Sequence, residues 1–239
     1  NGVTGAKDLN LVAENLLQRG HSFAENNYLI NVKDAQLLGK NEADQMSMNV
    51  TNSLTQHKDS SISVSDDLTI NAQKLHHLGH LIANNLTVDA DELIQDGYFS
   101  AVDQINLNSS SATLSGMTVG NDVSILTQQF TNKGTLLADN LLNITAKDIV
   151  LDGNPQTVVA ANNVNMSADT LKQNSGAVVQ ATTHLDYDAT ETLNVIGDIK
   201  TNTAISSSIS IVLMPSFSKS LIVAKKPFDV STSSIFFKF

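Results

Sequence analysis

The 239-residue chain has no cysteine and no tryptophan, three prolines, and 16% charged residues against the usual quarter of a soluble domain. Without cysteine, neither a disulfide framework nor thiol chemistry contributes. The redox compartment stays open, because a repeating fold can draw its stability from repetition instead of cross-links. No apolar run reaches about 18 residues, which excludes a membrane-spanning helix. The nearest approach, residues 209–224, is broken by Pro215, Lys219 and several serines. Neither a Gly-x-Ser-x-Gly turn nor a phosphate-binding glycine loop occurs, so nucleophilic and phosphoryl-transfer catalysis have no support. The opening Asn-Gly-Val-Thr-Gly contains no initiator Met and no basic-then-apolar leader, leading to the expectation of an internal fragment or processed product.

Basic residues are scarce: Arg19 is the lone arginine, and the net charge is −10. The imbalance is uneven. Residues 203–239 hold one acid, Asp229, and four lysines, leaving −13 for residues 1–202. An acidic surface repels phosphate backbones, which argues against nucleic acid as a partner. Such acidity also keeps a long surface soluble. What is abundant is Asn, Ser, Thr, Asp, Val, Leu and Ala, a mix that suits short strands and tight turns better than amphipathic helices.

An internal period organises these residues. The frame is apolar-x-apolar-x-small-x-x-apolar, as in Leu68-x-Ile70-x-Ala72-x-x-Leu75 and Leu86-x-Val88-x-Ala90-x-x-Leu93. Its first positions fall at Leu9, Ile30, Met48, Leu68, Leu86, Ile105, Val123, Leu142, Val164 and Leu185, a mean spacing close to 20, with the third copy degraded. Gly follows the eighth position by four residues at Gly20, Gly79, Gly97, Gly116, Gly134 and Gly153, and slips by one or two at Gly39, Gly176 and Gly197. Several copies close on Ala, as at Ala24, Ala83, Ala101 and Ala138.

Strict alternation over Leu-x-Ile-x-Ala describes a strand with one buried face. The glycine allows a corner, by positive φ or close backbone approach. A second short strand and an Asn-rich turn complete the unit. Such a unit cannot bury its apolar side alone, but stacking it in parallel register does so and pairs every backbone amide with a neighbouring rung. The expected fold is an all-β parallel β-helix of about ten coils, a rod on the order of 50 Å long. Leucine-rich repeats and calcium-binding nonapeptides lack their signatures here, and no Gly-Gly pair occurs.

The copies Asn85-Leu86-Thr87-Val88-Asp89-Ala90-Asp91-Glu92-Leu93 with Gly97 and Ala101, and Asn140-Leu141-Leu142-Asn143-Ile144-Thr145-Ala146 through Gly153, resemble the haemagglutinin repeats of the filamentous haemagglutinin family. Contact-dependent growth inhibition exoproteins belong to the same group. The resemblance covers about residues 1–200 and implies a right-handed β-helix shaft over residues 1–202, secreted or on the bacterial cell surface. It implies, for the full-length parent, an outer-membrane two-partner secretion transporter as partner and a receptor on a host or neighbouring cell. The family's Asn-Pro-Asn secretion motifs and Val-Glu-Asn-Asn toxin boundary do not occur in these residues.

Candidate reactive groups are few. His76-His77-x-x-His80 has the density of a transition-metal site, but its place after Leu75 reads as exposed corner residues. Asp66-Asp67 and Asp89/Asp91/Glu92/Asp96 could share a cation or abstract a proton on a polysaccharide; Arg19 is several coils away, so solvated charge is the preferred reading. Sequons at Asn49, Asn85, Asn108, Asn143 and Asn165 follow from polar–apolar alternation and read as outer-face polar rows. We expect no catalytic residues, no metal and no cofactor.

From about Ile205 the frame is lost, and five of the eight phenylalanines lie beyond it. Residues 203–239 read as a cap, a binding segment or an out-of-frame terminus, the last preferred for its abrupt change of composition. Three functions compete: a structural and adhesive shaft, a lyase-like polysaccharide-active enzyme, and a receptor-recognition segment of an inhibition exoprotein. Near-uniform coils, leaving no room for groove-forming insertions, favour the shaft. The degraded third copy, residues 41–63, is the interior candidate for recognition.

Overall fold

A computed structural model describes residues 2–153 and 157–201, together with the short strands Ser208–Ile211, Ile222–Val223 and Phe236–Lys238. Every strand pairing in it is parallel, and each strand up to Thr201 pairs with its counterpart roughly 20 residues on, so the chain winds as a β-solenoid of about ten turns. Each coil has three faces, the larger of the two or three short strands expected of a unit. Face A starts with Val3–Ala6, His21–Ala24, Lys40–Ala43 and Ser61–Val64 and continues through residues 80–83, 98–101 and onward to Asp198–Thr201. Face B carries the alternating frame, and face C follows it within the same or the next strand.

The inward column of face B runs Leu9, Tyr28, Met46, Leu68, Leu86, Ile105, Val123, Leu142, Val164, Leu185. Here the structure corrects the sequence frame, which aligned Ile30 and Met48 with Leu9. Tyr28 and Met46 hold those places instead. A strand repeats its side-chain direction every two residues, so a two-residue slip keeps the buried face and leaves the pattern unchanged. Once the slip is removed, Met46, Met48 and Val50 continue their columns, all at most 3% exposed, and the third copy is not degraded. In the tenth coil Leu171 pairs with Leu193 rather than Thr192, because a bulge past Ala168 adds one residue.

Inside the coils, the core is a set of stacked like residues: Leu75 on Leu93 on Ala112, Val88 on Leu107 on Ile125. Phe99, Phe130, Tyr28 and Tyr187 are the largest side chains fully enclosed. Burying each such aliphatic or aromatic group contributes about 1.5–3 kcal/mol. Face A ends inward on small residues, Ala24, Ala43, Ala83, Ala101, Ala138, Ala161 and Ala181, which let the chain bend tightly into face B. In the segment 203–239, the backbone of Ser208–Ile211 pairs with residues 186–189, Ile222–Val223 with 194–195, and Phe236–Lys238 with 208–210. The rest of that segment, on which the reading as cap, binding segment or out-of-frame terminus depends, lies outside the described residues.

Candidate functional surfaces and the buried polar corner

The corner between faces C and A is built from two columns, two residues apart in most coils and four to six apart where Ser60, Thr157 and Ala177 stand. The outer one holds Gly20, Gly39, Gly79, Gly97, Gly116, Gly134 and Gly197, with Ser60, Thr157 and Ala177 in three coils. Gly39 and Gly197 are in line, and their slip belonged to the sequence frame. Gly153 stands at the same corner, while Thr157 precedes the next strand. The reason for glycine is close approach. A Cβ on Gly79 would lie 2.5 Å from the Ser60 carbonyl oxygen, and one on Gly97 would strike the Gly79 carbonyl. A left-handed backbone accounts only for Gly176, at φ 91°, in the turn that precedes Ala177.

The inner column is polar and buried: Gln18, Gln56, His77, Gln95, Asn132 and Gln173, interleaved with Leu37, Leu114, Leu151 and Val195. Sequence reading missed it, although Gln18, His77, Gln95 and Asn132 each stand two places before a corner glycine. The amides close the corner. Gln95 Nε2 donates to the carbonyls of Gly97 at 2.6 Å and Met117 at 3.1 Å, and Gln18 Nε2 to Gly20 at 2.7 Å and Lys40 at 3.2 Å. Gln56 Nε2 reaches the His80 carbonyl at 3.0 Å. At Gly20 and Gly97 the side-chain amide is a second donor to a carbonyl that also accepts a backbone amide of the next coil, Lys40 at 2.9 Å and Met117 at 3.0 Å.

His77 belongs to this column, which overturns its expected place as an exposed corner residue. It is 1% exposed, packed against Phe99 with ring centroids 4.3 Å apart, and its Nδ1 lies 2.6 Å from Gln56 Oε1. Its Nε2 is 3.2 Å from the Tyr98 carbonyl oxygen. Burial lowers its pKa from the ordinary 6.5 to about 4, so it is neutral at pH 7. The physical reason for the error is alternation: His76 and His77 are adjacent in one strand and point to opposite sides. His76 meets Asp96 at 3.0 Å on the outside, and His80 lies against Tyr98 on face A. Three imidazoles adjacent in sequence thus diverge. Among the described residues no group of three His, Asp or Glu side chains is placed to hold a metal ion.

Outside, face B carries amide ladders. Asn49 Nδ2 donates to Asn31 Oδ1 and Asn71 Nδ2 to Asn49 Oδ1, both at 2.9 Å; Asn108 donates to Asp89 at 2.8 Å and Asn165 to Asn143 at 2.8 Å. Asn85 donates to Asp67 at 2.9 Å on the A–B corner. All five sequon asparagines sit in these rows. At the same corner, the Asn27 amide beside Asp8 holds that carboxyl below its usual range. Asp89 and Asp91 are both exposed, as alternation required, whereas Glu92 lies on face C and pairs with Lys74 at 3.2 Å. Lys74 at Glu92 and His76 at Asp96 thus both lie against the acid cluster, and sequence distance concealed them.

Two shallow grooves flank face B without any inserted loop. One, of about 610 Å³, runs over Asn49, Asn71, Asp89, Asn108 and the turn residues Gln73 and Asp91. The other, of about 680 Å³, lies along Asp67, Asn85, Asp103 and Asp122. They arise where the chain bends between faces, a route that coil length does not reveal. No protein-family model, no curated protein and no solved structure matches the chain.

Proposed function

We propose that the chain is a shaft segment of a large secreted or surface-exposed bacterial exoprotein of the two-partner secretion type, mediating cell contact or adhesion or presenting a distal effector domain. The observation that carries this reading is repetition without concentration. From Leu9 to Val195 the faces of each coil stack in parallel on those of the coil before it, with register shifts confined to the corners, and polar side chains pair with the same columns of adjacent coils. An enzyme gathers unlike reactive groups at one place; here acids and amides are spread along ladders, and His77 is enclosed. Extended outer faces and open grooves suit contact with another surface over several coils at once.

The test is a binding assay of the purified chain on bacterial and host cells, run beside a depolymerisation assay on acidic polysaccharides. Saturable cell binding with no chain cleavage is expected. Polysaccharide cleavage would replace the shaft with the lyase-like reading, with Lys74 and Glu92 as the first residues to substitute.

A further inference from the structure

Face A differs from the other two faces in its charge. Over seven successive rungs, from Ser61 and Ser63 to Val178 and Gln180, its outward positions hold no Asp, Glu, Lys or Arg. Face B carries Asp89, Asp186 and Asp188 in the same span, and face C carries Lys74, Glu92, Asp148 and Lys172. The middle of face A is largely apolar: Ile82 is 47% and Met117 41% exposed, beside half-buried Tyr98, Val119, Leu137 and Val158, with His80, Ser100 and Thr135 as its polar members. Charge returns only at its two ends. Lys40 and Glu42 lie one rung before the uncharged stretch, and Asp198 and Lys200 one rung after it, all four exposed.

We propose that face A is a self-docking surface, and that its occupant is face A of a second copy of this chain. The order of the end charges supports this partner. Rungs 40/42 and 198/200 are equidistant from the rung of Met117 and Val119, and their signs are reversed. A two-fold axis along the rod lays coil on like coil and sets Lys40 against the partner's Glu42 and Asp198 against the partner's Lys200. An axis along the strands inverts the rods and sets Lys40 against the partner's Asp198 and Glu42 against the partner's Lys200. Either closed arrangement brings opposite charges together. For a chain of net charge −10, an uncharged face is also the side on which two copies meet with least repulsion.

Nine rungs at about 4.8 Å, with strands about 13 Å long, make a plane of roughly 550 Å² per copy. Two such planes reach the lower end of specific interfaces, so a micromolar dimer is expected instead of an obligate one. Sedimentation equilibrium of the whole chain over roughly 5–500 µM tests this range. The expected result is a reversible monomer–dimer equilibrium that the Met117→Lys/Val119→Lys double variant weakens at least about tenfold. Lys40→Glu, outside the apolar rungs, weakens it several-fold in either arrangement, whereas Asn106→Lys on face B leaves it unchanged. Far-UV circular dichroism checks that each variant keeps its strands. A monomer throughout the range, or a dimer indifferent to both face A variants, overturns the proposal.

Discussion

At the Gly97 corner the absence of one carbon decides whether two coils can touch. Gly97→Ala would drive its Cβ into the Gly79 carbonyl and the backbone of Leu78, an overpacking that costs about 1–3 kcal/mol. Gly2, with nothing within 4 Å of a built Cβ, is the control: Gly2→Ala should change stability by less than about 0.5 kcal/mol. Chemical denaturation of the two variants checks the contrast. His77 offers a second single-residue test. Its folded pKa of about 4 lies below the 6.5 of an exposed imidazole, so between these values the unfolded chain binds a proton that the folded chain does not. The stability contributed by a neutral His77 is complete above pH 6.5 and is lost as pH falls toward 4, up to about 3 kcal/mol. His77→Gln places in this coil the side chain that Gln18, Gln56, Gln95 and Gln173 supply in theirs. Denaturation midpoints from pH 7 to pH 4 should therefore fall less steeply in His77→Gln than in the parent chain.

A strand is held by side-chain pairs of very different worth outside and inside the rod. Lys74 and Glu92 form the exposed kind, at 3.2 Å with both side chains near half exposure, and Glu92→Ala should cost less than about 1 kcal/mol. Tyr187 is the opposite case. Its hydroxyl donates to Gln173 Oε1 at 2.8 Å inside the rod, and burial raises its pKa. Tyr187→Phe leaves that amide oxygen without its donor and should cost about 1–3 kcal/mol, measured by the same denaturation. This scale also shows what the sequence made legible. Alternation in Leu68-x-Ile70-x-Ala72 reveals a strand and its inner face, because burial selects every second residue. It cannot show whether Leu9 stacks on Tyr28 or Ile30, since both point inward; only the neighbouring rung decides. His77 and the corner glutamines were hidden for a different reason. A polar side chain reads as exposed unless the carbonyls waiting for it are known, and those belong to residues 2–25 positions away. Lys74 and Glu92, 18 positions apart, are adjacent by the same coil geometry.

Stacked coils touch only their neighbours, so the stability of the rod is a sum of local terms rather than one property of the whole. The contacts bear this out: each strand packs against those one coil above and below, as Thr135–Thr145 does on Met117–Leu126 and Val158–Gln173. Damage to one coil should therefore spread to adjacent coils and fade along the rod. Phe130, 1% exposed, lies between Ala112 and Ile149 on face C, and Phe130→Ala removes a large group from a site with no mobile filler, a loss of about 3–5 kcal/mol. In a two-state globular domain that loss would lower together the protection of every amide that exchanges by global unfolding. Here hydrogen exchange should accelerate across roughly residues 105–173 and leave residues 27–77 close to their original protection. Exchange measured by mass spectrometry on overlapping peptides separates the two outcomes. Uniform acceleration along the chain would mean that the coils unfold as one cooperative unit, and additive stacking would have to be abandoned. A gradient centred on Phe130 would mean that the rod can open in its middle while its ends stay folded.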